Sequence, residues 1–177
     1  MIGLHLYLLV KSWGEIMSGE QEIERKYLLT NLPDDLDEST GKFIRQGYLC
    51  LEEGRHVRVR SKGEAYYLTV KTGEGLVRTE YEVEISEVQF QVLWPSTTGR
   101  QLEKIRYIYP LDQYEMEIDI YQGELAPLIV AEVEFPSVLA SEEFSAPDFV
   151  SEEVTGNNTF SNIRLALEGG LSAAAKK

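Results

Sequence analysis

Polar and apolar residues alternate along most of this chain with a period of two, the spacing that sends successive side chains of a β-strand to opposite faces. Glu22-Ile23-Glu24-Arg25-Lys26 opens the pattern and runs into Tyr27-Leu28-Leu29. Glu22, Glu24 and Lys26 share one face there, and Ile23, Tyr27 and Leu29 share the other. Arg45 to Leu51 sets Gln46, Tyr48 and Cys50 together, and His56 to Lys62 opposes Arg58 and Arg60 to Val57 and Val59. Lys62-Gly63-Glu64 reads as a tight hairpin. Ala65 to Thr72 then sets Tyr67, Thr69 and Lys71 against Tyr66, Leu68 and Val70, and Gly73 and Gly75 break the run.

The clearest strand is Val77 to Ile85, with Arg78, Glu80, Glu82 and Glu84 on one face and Val77, Thr79, Tyr81, Val83 and Ile85 on the other. Ser86 followed by Gln89 matches a capping box and predicts a helix through about Trp94, stopped by Pro95. Val88, Phe90, Val92 and Leu93 are its expected docking surface. Leu102 to Tyr109 keeps Lys104 and Arg106 in phase; Tyr114 to Tyr121 opposes Glu115, Glu117 and Asp119 to Met116, Ile118 and Ile120. Pro127 to Phe135 is the eighth predicted strand and carries Glu132 and Glu134. Short helical pieces follow Pro136, and a last helix is expected from about Thr159 to Leu167.

At 177 residues the chain suits one domain with a sizeable core. The expected organisation is an N-terminal extension over 1–19, a domain over 20–168 and a disordered tail over 169–177. The apolar stretch Ile2 to Val10 is too short to span a bilayer, and Met17 is an alternative start. A net charge of −13 argues against nucleic acid or an anionic membrane as partner. The lone Cys50 forms no internal disulfide, and with only His5 and His56 a histidine-rich metal centre is excluded. The cytoplasm fits this composition best.

The charged faces need an explanation. Together they hold nine acids and seven bases, a balance of −2, which leaves −11 of the chain's −13 elsewhere. In one picture a two-layer α+β sheet shows this face to water, as antiparallel sheets commonly do. In the other, the strands curl into a barrel that encloses it. Carboxylates such as Glu80, Glu82 and Glu84, about 7 Å apart along a strand, would repel there unless cations intervened. Alternation alone leaves both pictures open.

A resemblance carried by the charged pairs decides between them. Glu22-x-Glu24-x-Lys26, Arg58-x-Arg60, Thr69-x-Lys71, Arg78-x-Glu80-x-Glu82, Lys104-x-Arg106, Glu117-x-Asp119 and Glu132-x-Glu134 resemble the signature of the CYTH family, the triphosphate tunnel metalloenzymes. Gln46-Gly47-Tyr48-Leu49, Glu153-Val154-Thr155, Asn162 and Leu165-Ala166-Leu167 fit as well, so the resemblance covers residues of about 20–168. It is closest to the short bacterial members that hydrolyse inorganic triphosphate. It implies an α+β fold: a closed eight-stranded antiparallel β-barrel, or tunnel, with helices on its outside and a C-terminal helix near one mouth.

The resemblance also implies a phosphohydrolase that takes a linear triphosphate with Mg²⁺ or Mn²⁺. Lys26, Arg58, Arg60, Lys71, Lys104 and Arg106 are then expected to grip phosphoryl oxygens, with Arg78 the least secure member. Glu22, Glu24, Asp119, Glu132 and Glu134 are the expected metal-side carboxylates, some acting through water. Glu80 and Glu82 hold a second metal or orient the arginines. Tyr48 and Lys26 are expected to tune the nucleophile or leaving group, with Glu24 beside them, while Thr155 and Asn162 cap and pin the last helix. Alternatives within enzymes are hydrolysis of ATP or thiamine triphosphate and adenylyl cyclisation; outside enzymes, a non-catalytic sensor of phosphate compounds. A homodimer is compatible with the pattern.

Overall fold

The computed structural model describes residues 20–168 except 53 and 73–76, and for residues 20–22, 77, 78 and 168 it describes the backbone only. The expectations for residues 1–19 and 169–177, and the break at Gly73 and Gly75, lie outside the described residues. The elements in order are β1 (Glu20–Leu29), β2 (Lys42–Glu52), β3 (Arg55–Lys62), β4 (Ala65–Thr72), β5 (Val77–Ile85), α1 (Glu87–Leu93), β6 (Gln101–Leu111), β7 (Tyr114–Tyr121), β8 (Ile129–Glu134), α2 (Val138–Glu143), β9 (Val150–Glu153) and α3 (Asn162–Glu168). Each alternating run forms a strand.

These strands make one sheet in the order β5-β4-β3-β2-β6-β7-β8-β1-β9, paired antiparallel throughout. β1 pairs with β8 through Glu24 to Leu28, with β9 through Tyr27 to Leu29, and with β5 through Glu20 to Ile23. The sheet has nine strands where eight were expected. The ninth, Val-Ser-Glu-Glu, has no apolar alternation to announce it. Backbone pairing to β1 holds it, together with an ion pair from Arg25 to Glu153 at 2.6 Å.

The main core lies on the face opposite the charged rows. Tyr27, Met116, Ile118, Ala131 and Val133 are fully buried there, with Phe135 beside them. Ala140 of α2, Phe144, Phe149, Leu32 and Leu36 cover this side. Each fully buried aliphatic or aromatic side chain contributes about 1.5–3 kcal/mol, so this cluster is a principal source of the sheet's stability. A second cluster joins Tyr48, Leu102, Tyr121, Leu125, Leu128 and Val130 to Leu165 and Ala166 of α3. It fixes α3 at one end of the strands.

Two expectations about packing need correction. The capping box at Ser86 and Gln89 forms as predicted, but of the expected apolar residues of α1 only Phe90 is fully buried, with Leu93 half-buried. Val88 and Val92 are 72% and 71% exposed, because one seven-residue helix turns only a narrow stripe toward β4. Phe90 packs against Tyr66 and Trp94, and Arg45 lies 4.4 Å over the Trp94 ring. In β2 the register to β3 shifts between Tyr48 and Cys50, so Cys50 stands opposite Val57 and leaves the face of Gln46 and Tyr48. A β-bulge inserts one extra residue, and with a period of two that swaps every later side chain to the other face.

Candidate active site

Register sets acids against bases. Across β1 and β8, Lys26 faces Glu132 and Glu24 faces Glu134; across β6 and β7, Arg106 faces Asp119. Across β4 and β5, Lys71 faces Glu80 and Thr69 faces Glu82. The charged rows thus converge on a cavity of about 170 Å³, lined from β1 to β8 and by Ser161, Asn162 and Ile163 at the start of α3. Its described lining contains seven bases (Lys26, Arg58, Arg60, Lys62, Lys71, Lys104 and Arg106) and five acids (Glu24, Glu80, Glu117, Glu132 and Glu134). Bases thus outnumber acids in the described lining of a chain of net charge −13, with Asp119 and Glu82 bonded to three of those bases from behind. Such a site attracts a small anion to an otherwise repelling surface.

Asp119 is fully buried behind this lining. It accepts from Lys104 Nζ at 2.5 Å and from Arg106 Nε and Nη2 at 2.6 and 2.5 Å. Arg106 also donates to Glu117 and, at 3.3 Å, to Glu132. Burial alone would push Asp119 up, but Arg106 and Lys104 hold it below the usual carboxylate range. Glu132 behaves alike: burial is outweighed by Lys26 at 2.7 Å, Arg106 and Lys104, which keep it well below its ordinary value. Lys104 pays for its own burial, which lowers it to about 8 with Arg106 adding to the effect and Asp119 opposing it.

Glu80 binds Arg58 at 3.1 Å and pairs with Lys71. Glu82 accepts from Arg60 at 2.9 Å and from Thr69 Oγ1 at 2.7 Å. Glu24 and Glu134 face the cavity from adjacent strands. Burial, then the like charges of Glu117 and Glu24, raise Glu134 above the ordinary carboxylate value. Glu22 and Arg78 are paired in backbone register, and their side chains lie outside the described residues.

Gln46 Nε2 donates to Tyr48 Oη at 2.8 Å inside the cavity wall. Burial pushes the Tyr48 phenol up to about 12 despite the opposing pull of Arg58. Tyr48 is thus a neutral hydroxyl at ordinary pH, able to donate a hydrogen bond but not to act as a base. The His56 ring meets it edge-on at 5.6 Å between centroids.

His56 and Lys62 line the cavity although the sequence reading passed over both. Their signal was present: they share the parity of Arg58 and Arg60. Asn162 is a different case. It was expected to cap and pin the helix; it ties the start of α3 to β7 and β6 by accepting from Tyr121 Oη at 2.6 Å and Lys104 Nζ at 3.4 Å, and it lines the cavity as well. Nothing in local spacing predicts that. Thr155 pins β1 instead of the helix, accepting from the Lys26 backbone N–H at 3.0 Å and donating to Glu153 at 2.7 Å.

Residues 20–155 match the CYTH domain family. An inorganic triphosphatase of Nitrosomonas europaea is 42% identical over 148 residues, 82% of this chain and 97% of that protein. An inorganic triphosphatase of Acetivibrio thermocellus is 35% identical over 149 residues, 82% of this chain and 92% of that one. The crystal structure of an inorganic triphosphatase superposes with a TM-score of 0.64 at 40% identity, covering 82% of this chain and 94% of the other. A Pyrococcus horikoshii protein structure at 16% identity, with a TM-score of 0.54 over 83% of this chain and 96% of its own, shares the fold.

Proposed function

This chain belongs to the CYTH family, and from that premise we propose that it hydrolyses inorganic triphosphate to diphosphate and orthophosphate in the cavity bounded by β1 to β8. One observation carries the proposal: seven bases line a single cavity, and neighbouring carboxylates hold six of them in place. A polyphosphate entering water-poor surroundings needs that counter-charge, and pre-set donors lose little freedom in binding it. We propose further that the strands close into a tunnel. The pairing of β1 with β5, the strand at the far end of the sheet order, supports this.

The residues present fit a divalent cation. Glu24 and Glu134 are register partners, and Glu117 adds a third negative charge that Glu134 registers as a raised pKa. Among the described residues no three acids or histidines already enclose an ion. Mg²⁺ keeps several waters and takes few carboxylates directly, so a pair of carboxylates can serve it. Glu24 and Glu134, with Glu132 beside them, would hold Mg²⁺ or Mn²⁺. When bound, the ion would polarise a phosphoryl oxygen and acidify a water.

The protein's own part is binding and orientation, which dominate phosphoryl transfer. Arg58 and Arg60 present guanidinium edges that Glu80 and Glu82 have already aligned. In this role Glu80 and Glu82 orient the arginines, and Asp119 positions Lys104 and Arg106. Lys26, held by Glu132, offers its ammonium to a phosphoryl oxygen, and Tyr48 donates a neutral hydroxyl.

Phosphate release from inorganic triphosphate, ATP and thiamine triphosphate, with and without Mg²⁺, tests the proposal. Metal-dependent release with triphosphate preferred is expected; release only from a nucleotide, cyclic AMP formation, or binding without turnover overturns it. Lys26→Ala and Glu24→Gln should each lower kcat/KM by roughly 10²-fold, the scale for losing one group that stabilises transition-state charge.

A further inference from the structure

Lys62 differs from every other base in the cavity lining. Lys26, Arg58, Arg60, Lys71, Lys104 and Arg106 each stand against a carboxylate. Among the described residues, Lys62 has no ion pair within 4.0 Å, although it is half-buried in the same wall. A partly desolvated ammonium without a close carboxylate costs free energy that an arriving anion would offset. Burial pulls Lys62 below the ordinary lysine pKa; Glu117 opposes this, and Arg106, Arg60 and Lys42 add to it. A polyanion would restore its proton affinity.

Its place along the cavity is equally specific. Tyr48, which belongs to the cluster packed under α3, stands opposite Arg58; Lys62 stands opposite Ile44. Arg58, Arg60 and Lys62 therefore form a row in steps of about 7 Å that starts near α3 and runs away from it. Arg58 and Lys71 serve the inner part of that row, joined to Glu80. A two-phosphoryl anion seated against them would stop short of Lys62, two positions beyond Arg60 on the same strand. A third phosphoryl group would extend toward it.

Resting on the triphosphatase reading, we infer that Lys62 grips the third phosphoryl group at the end of the cavity away from α3, and so favours triphosphate over diphosphate. Lys62→Gln should raise KM for inorganic triphosphate about tenfold, the loss of one hydrogen bond to a charged group. It should leave kcat and the inhibition constant of diphosphate within about twofold on the same scale. Lys62→Arg should keep most of the wild-type KM, and Lys42→Gln, an exposed neighbour, should leave KM unchanged. An unchanged KM in Lys62→Gln, or a diphosphate constant that moves with KM, overturns the inference while the triphosphatase reading stands. If the wild type releases no phosphate, that reading fails separately, and calorimetric binding of tripolyphosphate and diphosphate in Mg²⁺ decides Lys62. Weakening of tripolyphosphate alone in Lys62→Gln supports the inference; equal weakening, no weakening, or no binding by the wild type overturns it.

Discussion

Glu132 accepts from Lys26 and Arg106 within a buried network, and the two bases hold its pKa well below the ordinary carboxylate value. A group with a depressed folded pKa contributes stability that is complete above its unfolded pKa and is lost as pH falls through the folded one. Glu132→Ala would also remove the 2.7 Å partner of Lys26 and one of the three carboxylates around Arg106, so it should cost about 1.5–3 kcal/mol at neutral pH, the scale for hydrogen bonds to charged groups. Denaturant titration checks this, and the difference from wild type should shrink as pH is lowered through the acid range. Tyr48 leads to a second test. With its phenol pushed up to about 12, it stays protonated across the working range. Tyr48→Phe should therefore lower kcat by a pH-independent factor, and a lost or displaced alkaline limb in its pH–rate profile would contradict a neutral donor. That Tyr48, Gln46, Lys26 and Glu132 face one space was legible from parity. That Lys26 chooses Glu132 at 2.7 Å, with Glu24 at 4.0 Å, was not, because that choice depends on which strand lies alongside β1.

Among the elements, α1 shows how a correct boundary can carry a wrong face. Its capping box is a local exchange of hydrogen bonds between Ser86 and Gln89 and needs no tertiary partner. Which of Val88, Phe90 and Val92 is buried depends on where β4 puts Tyr66. Phe90→Ala should cost about 3–5 kcal/mol in thermal or chemical unfolding, whereas Val88→Ser should stay within about 0.5 kcal/mol. Gly47 supplies a tighter constraint on β2. A Cβ there would lie 2.3 Å from Thr97 Oγ1, so Gly47→Ala forces the turn after α1 away from the strand. A loss of about 1–3 kcal/mol is expected, and adding Thr97→Ala should recover part of it. The bulge after Tyr48 and the short β9 escaped the pattern for one reason: neither leaves a periodic trace in its own residues.

For the molecule as a whole, the contrast is between a net charge of −13 and a cavity where bases outnumber acids. Tripolyphosphate with Mg²⁺ should stabilise the fold by about 2.7 kcal/mol at a hundred times its dissociation constant. That corresponds to roughly 5–10 °C in the melting temperature of a chain this size, measurable by calorimetry. No shift would remove the cavity as the binding site. The alternating rows, the helix cap and the order of charged pairs were written in the residues, because parity and capping are properties of neighbours in the chain. Tertiary structure alone decided that Asp119 sits behind Lys104 and Arg106, that Asn162 returns to the cavity from α3, and that Lys62, among the described residues, has no carboxylate within ion-pair distance. Those facts depend on the register between paired strands and on where the last helix packs, and in a sheet a shift of one residue exchanges every partner.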